Sequence, residues 1–258
     1  AQKFGLTVLQ PASVKDPSFL EALDAVRPDM AVVAAFGQIL PKAVLDFPPQ
    51  GCLNIHPSLL PAYRGAAPIH WSIIRGEKQT GVTIMLMDEG MDSGDILAQE
   101  KTPVGETETY GELHDRLALL GAALLVETIE RLASGAVQRQ KQDSSRVTFA
   151  PRLSRETGRI CWRNPAEHII NLVRGLNPSP AAYTLLEGQD LKILAAEARP
   201  GPVEEPPGAV AAATPEGLPV AASNGHVILK EVQLAGKKRM PVSDFLRGFP
   251  LKPGIRLE

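Results

Sequence analysis

The clearest hydrophobic signal is Met30-Ala31-Val32-Val33-Ala34-Ala35-Phe36, a continuous apolar run of the kind a strand buried on both faces shows. Ahead of it, Asp16-Pro17 sets a capping side chain before a residue whose missing N–H costs nothing there, predicting a helix to about Arg27. The opening Ala1–Leu9 reads as the end of a helix running into a strand, as though the chain begins mid-domain. Pro41 to Leu45 suits a short helix, Gly51 to His56 a strand ending at Pro57, Ala67 to Ile74 a helix, and Val82 to Met87 a further interior strand. Strand and helix alternate, which predicts a parallel sheet covered by helices. Thr109 and Glu112 form a capping box opening a long helix with Leu113, Leu117, Leu120, Leu124 and Ile129, which stops at Gly135. That helix is read as packing, with no chemistry.

After Gly135 the pattern changes. Residues 136–155 are polar and irregular, as a linker is. Asn164-Pro165-Ala166-Glu167 is another capping box, starting a helix through Arg174. Beyond it lie short apolar pieces, Ala182–Leu186, Leu191–Leu194 and His226–Leu229, broken by turn residues, and Pro200–Pro219 reads as a loop. A small antiparallel barrel or sandwich fits. The organisation expected is an α/β domain over residues 1–135, a linker over 136–155 and a β domain over 156–258.

Composition sharpens this little: 44% hydrophobic and 22% charged residues describe a chain able to bury a core. Cys52 and Cys161, the two cysteines, are too few for a disulfide framework or a thiolate zinc site, which fits a reducing cytoplasm. No apolar run is long enough to span a bilayer, so no membrane partner is expected. The formal charge of -2 is uneven, with 13 basic against 18 acidic residues over 1–150 and 14 against 11 over 151–258. An anionic partner sits more easily on the second half. There Lys237-Lys238-Arg239 is either a phosphate contact or a solvated loop.

The candidate chemistry lies in two segments. Asn54-Ile55-His56 closes a predicted strand, and alternation puts both polar side chains on one face. Ligands of parallel sheets bind beyond the carboxyl ends of the strands. Asp88-Glu89-Gly90-Met91-Asp92 follows the strand ending at Met87, so its loop is expected at the same sheet edge, with Asp92 approaching His56. An amide, an imidazole and a carboxylate with no serine or cysteine nucleophile suggest direct acyl transfer. Asn54 would donate to the developing oxyanion; His56, if protonated, a form that Asp92 would favour, would add a charged donor; and Asp92, directly or through a water, would collect the amine's surplus proton. Each residue also has a plainer reading: a core histidine, an Asn tying two turns, an Asp capping its own loop. A metal site from His56, Glu89 and Asp92 lacks paired-ligand spacing and is not expected. His70, His114 and His168 fall in predicted helices and are assigned nothing.

Asn-Ile-His-Pro-Ser-Leu-Leu-Pro-Ala-Tyr-Arg-Gly at 54–65 and Met-Asp-Ser-Gly-Asp-Ile-Leu at 91–97 resemble the formyl-tetrahydrofolate transferase superfamily. Arg64–Ile69, Gly81–Met85, Ala150–Ser154 and Arg174–Tyr183 look like its methionyl-tRNA formyltransferase branch, so the resemblance covers nearly the whole chain. It implies an α/β fold, a Rossmann-like formyltransferase domain followed by a small OB-fold-like β-barrel that helps bind tRNA. It also implies transfer of a formyl group from 10-formyl-tetrahydrofolate to the amino group of initiator methionyl-tRNA, by a cytoplasmic monomer needing no metal. Asn54, His56 and Asp92 match the catalytic trio. Ser58, Leu59, Leu60 and Pro61 would shape the folate pocket. Phe36, Gln38, Ile39 and Leu40, with Asp88, Glu89, Gly90 and Met91, would hold the pterin through backbone groups. The pattern normally begins with a further β-α-β unit ahead of the residue matched by Ala1, so the resemblance implies an N-terminally incomplete domain with an unpaired sheet edge. Two alternatives remain at this point: a relative acting on a small amine or water, and a non-catalytic RNA-binding relative.

Overall fold

The computed structural model describes residues 1–258. In chain order its elements are α1 (Pro17–Val26), β1 (Ala31–Val33), α2 (Lys42–Leu45), β2 (Cys52–His56), α3 (Pro68–Ile74), β3 (Gln79–Leu86), β4 (Ile96–Pro103) and α4 (Tyr110–Ala133), followed by α5 (Ala166–Gly175), β5 (Ala182–Leu186), β6 (Gln189–Pro200), β7 (Leu218–Ala221), β8 (Gly225–Leu234), β9 (Met240–Pro241) and α6 (Val242–Gly248). The chain forms two compact units, one of residues 1–64, 81–101 and 119–149, the other of 65–80, 102–118 and 150–258.

The first unit is built on a sheet of order β1-β2-β3-β4. β1 lies parallel to β2, with Val33 opposite Asn54. β2 and β3 run antiparallel, with Leu53 opposite Leu86 and His56 opposite Thr83. The sheet is therefore mixed, and the all-parallel expectation is corrected; apolar periodicity marks a strand but carries no information on its direction. β4 went unread because Gln99, Glu100 and Lys101 are exposed and interrupt its apolar positions. β1 is shorter than the Met30–Phe36 run and lies at the sheet edge, where Val32 is 45% exposed; with one strand neighbour it is not buried on both faces. Phe4, Leu6, Val8 and Leu9 are exposed, and α1 has no fully buried residue.

Leu53, Val82, Ile84 and Met85 form the buried centre of this sheet. The later part of α4 comes very close to one face: a Cβ on Gly121 would lie 2.9 Å from Ile55 Cγ2. Ile55 points to that face, so its neighbours Asn54 and His56 point to the other. Residues 136–149 are more than a tether. Gln140 exchanges backbone hydrogen bonds with Ile96, and the Arg64 N–H donates to Thr148 O at 2.9 Å.

In the second unit β5-β6-β8-β7 form an antiparallel sheet with β9 on β8. Two short segments close it. Leu185 and Glu258 exchange backbone hydrogen bonds, Leu257 N donates to Gly208 O, Val210 N to Ile255 O, and Ala211 N to Pro219 O on β7. The pairing runs from β5 through β6, β8 and β7 back to β5, a closed barrel with no free edge at these positions. A register shift at Ile193–Ala195 bends β6 to allow the closure. Trp162, Ile169, Leu191, Val220, Leu229 and Phe245 are among its core, which α5 covers.

Two of the three predicted helix starts differ from expectation. Thr109 and Glu112 do form their box, Glu112 Oε2 accepting from Thr109 N at 2.9 Å. Asp16 makes no side-chain cap. α5 is capped from a distance, the Ala166 N–H donating to Asn224 Oδ1 at 2.8 Å while Asn224 Nδ2 donates to Glu167, so Asn164 is not the cap. Local spacing could not reveal a cap contributed from the hairpin between β7 and β8.

Candidate functional site

β2 fixes the first two residues. Asn54, half-buried, pairs across to Met85, and His56, 4% exposed, pairs to Thr83 at the strand's end. The chain then reverses through Pro57–Ala62, where the Ser58 hydroxyl donates to Ala62 O at 2.6 Å and the Thr83 hydroxyl to Ser58 O at 2.7 Å. Thr83 Oγ1 also accepts from Leu60 N, and Gln99 Nε2 donates to Leu60 O at 2.8 Å. Ser58 and Leu60 are buried, Leu59 and Pro61 lie on the same turn, and the Leu60–Pro61 peptide is cis. The hydroxyl of Ser58 is used within the turn, so what this residue offers a ligand is the shape of the turn.

Because β2 and β3 are antiparallel, the loop after β3 leaves the sheet at the end opposite His56, and the expectation of a shared strand edge is corrected. The loop nevertheless folds back. Leu86 N donates to Asp95 O at 2.9 Å, and Gly94 lies so close to Leu86 that a Cβ would fall 1.7 Å from Leu86 O. Only glycine permits that approach. The reversal sets Asp92 Oδ1 3.7 Å from His56 Nδ1, an ion-pair distance longer than a direct hydrogen bond.

The Nε2–H of His56 donates to Tyr63 O at 2.9 Å. A carbonyl can only accept, so Nε2 carries the proton and in the neutral ring Nδ1 presents its lone pair toward Asp92. Burial is the largest influence on this imidazole and lowers its pKa; Asp92 and the Tyr63 carbonyl oppose it, and Arg64 adds to the lowering, leaving the net direction downward. Desolvation thus outweighs the carboxylate, and the lowered pKa favours the neutral ring at pH 7.

The remaining predicted residues lie in two adjoining loops. Asp88 Oδ1 accepts from Gly90 N at 3.0 Å and from Ser93 Oγ at 2.7 Å, so Asp88 ties the loop, the role considered for Asp92. Glu89 pairs with Lys42 of α2 at 3.3 Å, joining this loop to the segment carrying Phe36, Gln38, Ile39 and Leu40. Gln38 Oε1 accepts from Val14 N. Phe36, Ile39 and Met91 are exposed by 45%, 84% and 65%. No group of three or more His, Cys, Asp or Glu side chains is arranged to hold a metal ion.

Three residues that hold this site were missed in the sequence. Thr83 and Gln99 fix the turn after β2. Gln142 Nε2 donates to Asp92 O and Gly94 O, both at 2.8 Å, and its Oε1 accepts from Arg64 Nε at 3.1 Å and Nη2 at 2.7 Å. Thr83 interrupts a strand that is buried on both faces, between Val82 and Ile84; Gln142, in a stretch read as linker, gave no signal.

Comparisons with known proteins identify the family. Residues 1–129 match the family described as formyl transferase, and residues 152–250 match the formyl transferase C-terminal domain. A methionyl-tRNA formyltransferase of Syntrophus aciditrophicus is 54% identical over 257 residues, the whole of this chain and 82% of that protein. One of Bacillus velezensis is 48% identical over 98% of this chain and 80% of its own length. Among solved structures, HypX from Aquifex aeolicus in complex with tetrahydrofolic acid shares the fold at TM-score 0.68 and 20% identity, over 88% of this chain and 40% of that one. A sugar N-formyltransferase from a Shewanella species aligns at TM-score 0.62 and 27% identity, over 74% and 77% of the two chains. On the family matches at both ends and identity along its whole length, the chain belongs to the formyl transferase family and, within it, to the methionyl-tRNA formyltransferases.

Proposed function

We propose that this chain moves the formyl group of 10-formyl-tetrahydrofolate to the amino group of methionine on initiator tRNA, with Asn54, His56 and Asp92 carrying the chemistry. The observation behind it is the meeting of His56 Nδ1 and Asp92 Oδ1 at 3.7 Å on the sheet face that also bears Asn54, in a chain of this family. The donor supplies an activated formyl carbon on nitrogen. The turn at Ser58–Pro61 and the loops bearing Phe36–Leu40 and Asp88–Met91 would hold it.

An α-amino group has a pKa near 8, so roughly a tenth of it is uncharged at pH 7 and ready to attack. As a C–N bond forms, the carbonyl oxygen becomes negative and the Asn54 amide donates to it, a contact worth about 3 kcal/mol. The attacking nitrogen must lose a proton. His56 Nδ1, bare because burial keeps the ring neutral, takes it, and Asp92 stabilises the resulting imidazolium. The positive charge on the ring also stabilises the oxyanion electrostatically. Collapse breaks the bond to the folate nitrogen, which receives the same proton, so the products are a formylated amine and tetrahydrofolate. Asp92 never needs to be protonated itself.

The match of the second half to the C-terminal formyl transferase domain supports a tRNA acceptor over a small amine. The free thiols of Cys52 and Cys161 support a cytoplasmic setting, and no helix is long and apolar enough to cross a membrane. The test is formylation of charged initiator tRNA by His56→Ala and Asp92→Ala. Each is expected to lower kcat at least 100-fold with KM for tRNA changed less than threefold. Undiminished transfer by either variant overturns the assignment of roles.

A further inference from the structure

We propose that Gln142 is a positioning residue for the transfer reaction, its side-chain amide holding the backbone of Asp92–Gly94 so that the Asp92 carboxylate is presented to His56. The inference rests on the roles given above to Asp92 and His56.

Asp92 has φ +50°, in the left-handed region that an L residue with a side chain adopts only when its surroundings hold it there. Both amide hydrogens of Gln142 are spent on this bend, one on Asp92 O and one on Gly94 O, bracketing Ser93. Both acceptor positions of Oε1 are filled by Arg64. With four contacts for four valences the amide has one orientation: turned over, its oxygen would face two carbonyl oxygens and its NH2 a guanidinium. The backbone beneath it is anchored as well, since Gln140 pairs with Ile96, the first residue of the strand that follows the loop.

The other end of the contact explains why a glutamine does this. Arg64 follows Tyr63, whose carbonyl accepts the Nε2–H of His56. One amide thus spans both sides of the imidazole, the carboxylate facing Nδ1 and the peptide facing Nε2. Glutamate at this position would keep an acceptor for Arg64 but aim an oxygen at the loop carbonyls. Methionine would keep the volume and remove every polar contact.

These two substitutions separate positioning from mere support. In Gln142→Met, kcat is expected to fall 10- to 100-fold with KM for the formyl donor within threefold. The charged groups acting on His56 are Asp92, which raises its pKa, and Arg64, which lowers it. A loosened Asp92 should therefore let His56, followed by NMR of the labelled ring in the full-length protein, titrate at lower pH than in the wild type. Gln142→Glu should lose turnover comparably despite keeping the Arg64 contact. Wild-type activity in Gln142→Glu, or an unchanged His56 titration in Gln142→Met, overturns the proposal, and the titration reads out even if the variant is less stable. Asp92→Asn is the control for the reading beneath it: full turnover there removes the role of Asp92, whereas a crippled Asp92→Asn beside active Gln142 variants removes only the role of Gln142.

Discussion

The two best-buried histidines of the first half show how one residue type takes different work from its surroundings. His56 has a carboxylate beside it and a lone pair facing that carboxylate; His70 has neither. His70 stacks on Tyr110 with ring centroids 3.6 Å apart and an interplanar angle of 18°. Burial is the main cause that lowers its pKa to about 4, opposed by the Ser179 carbonyl and helped by His114. Between its unfolded pKa near 6.5 and about 4, the unfolded chain binds a proton there and the folded one does not, so stability present above pH 6.5 is lost as the pH falls toward 4. The full shift would amount to about 3 kcal/mol, and partial exposure screens that to roughly 1–2 kcal/mol. His70→Gln should flatten the dependence of unfolding free energy on pH across that window, measured by urea denaturation at fixed pH values. A slope identical to the wild type would show that His70 does not titrate on unfolding.

At the scale of elements, the legible part of the fold was whatever follows from local periodicity and punctuation. The capping box at Thr109, the strand ending at His56 and the turn pieces of the second half all have causes within a few residues. Unread features had distant causes. The antiparallel partner of β2, the Asn224 cap on α5 and the Gln142 contact depend on which segments meet. The trio came from resemblance, and the reason given for its convergence does not hold, since the loop reaches His56 by folding back over Gly94 rather than by leaving a shared edge. The approach of α4 to the sheet has the same long-range character. Alanine in place of Gly121 gains about 1 kcal/mol of helix propensity. Its Cβ, however, meets the stiff β-branched Ile55 at 2.9 Å and Val82 Cγ1 at 3.3 Å. Overpacking of this kind costs typically 1–3 kcal/mol and is relieved by shifting β2, which carries Asn54 and His56. Gly121→Ala should therefore lower both Tm and kcat, and adding Ile55→Ala should restore kcat more than Tm, because it opens room for the methyl at the expense of buried apolar surface. A fully active, stabilised Gly121→Ala would mean that α4 moves away from the sheet freely.

On the scale of the whole molecule, charge is unevenly distributed along the chain. The half that bears the proposed chemistry is acidic on balance, with 13 basic against 18 acidic residues over 1–150, and the half that matches the C-terminal domain is basic, with 14 against 11. A polyanion bound by basic side chains releases counterions, so its affinity falls with salt in proportion to the phosphates neutralised. The candidate cluster at Lys237-Lys238-Arg239 is smaller than it looked. Arg239 pairs through two nitrogens with the two carboxylate oxygens of Glu231, which offsets its charge, and leaves Lys237 and Lys238 exposed in the turn after β8. If these two lysines meet phosphates, their joint replacement by glutamate should raise KM for charged initiator tRNA by roughly tenfold at low salt and reduce the steepness of its salt dependence by about 1–2 charges. The turnover number at saturating tRNA should stay as it was, because neither lysine belongs to the unit that holds His56. Initial rates measured across a salt series for the wild type and the double variant decide the matter: parallel salt dependences with equal KM assign the turn to solvent, and place the acceptor's phosphates elsewhere on the basic half.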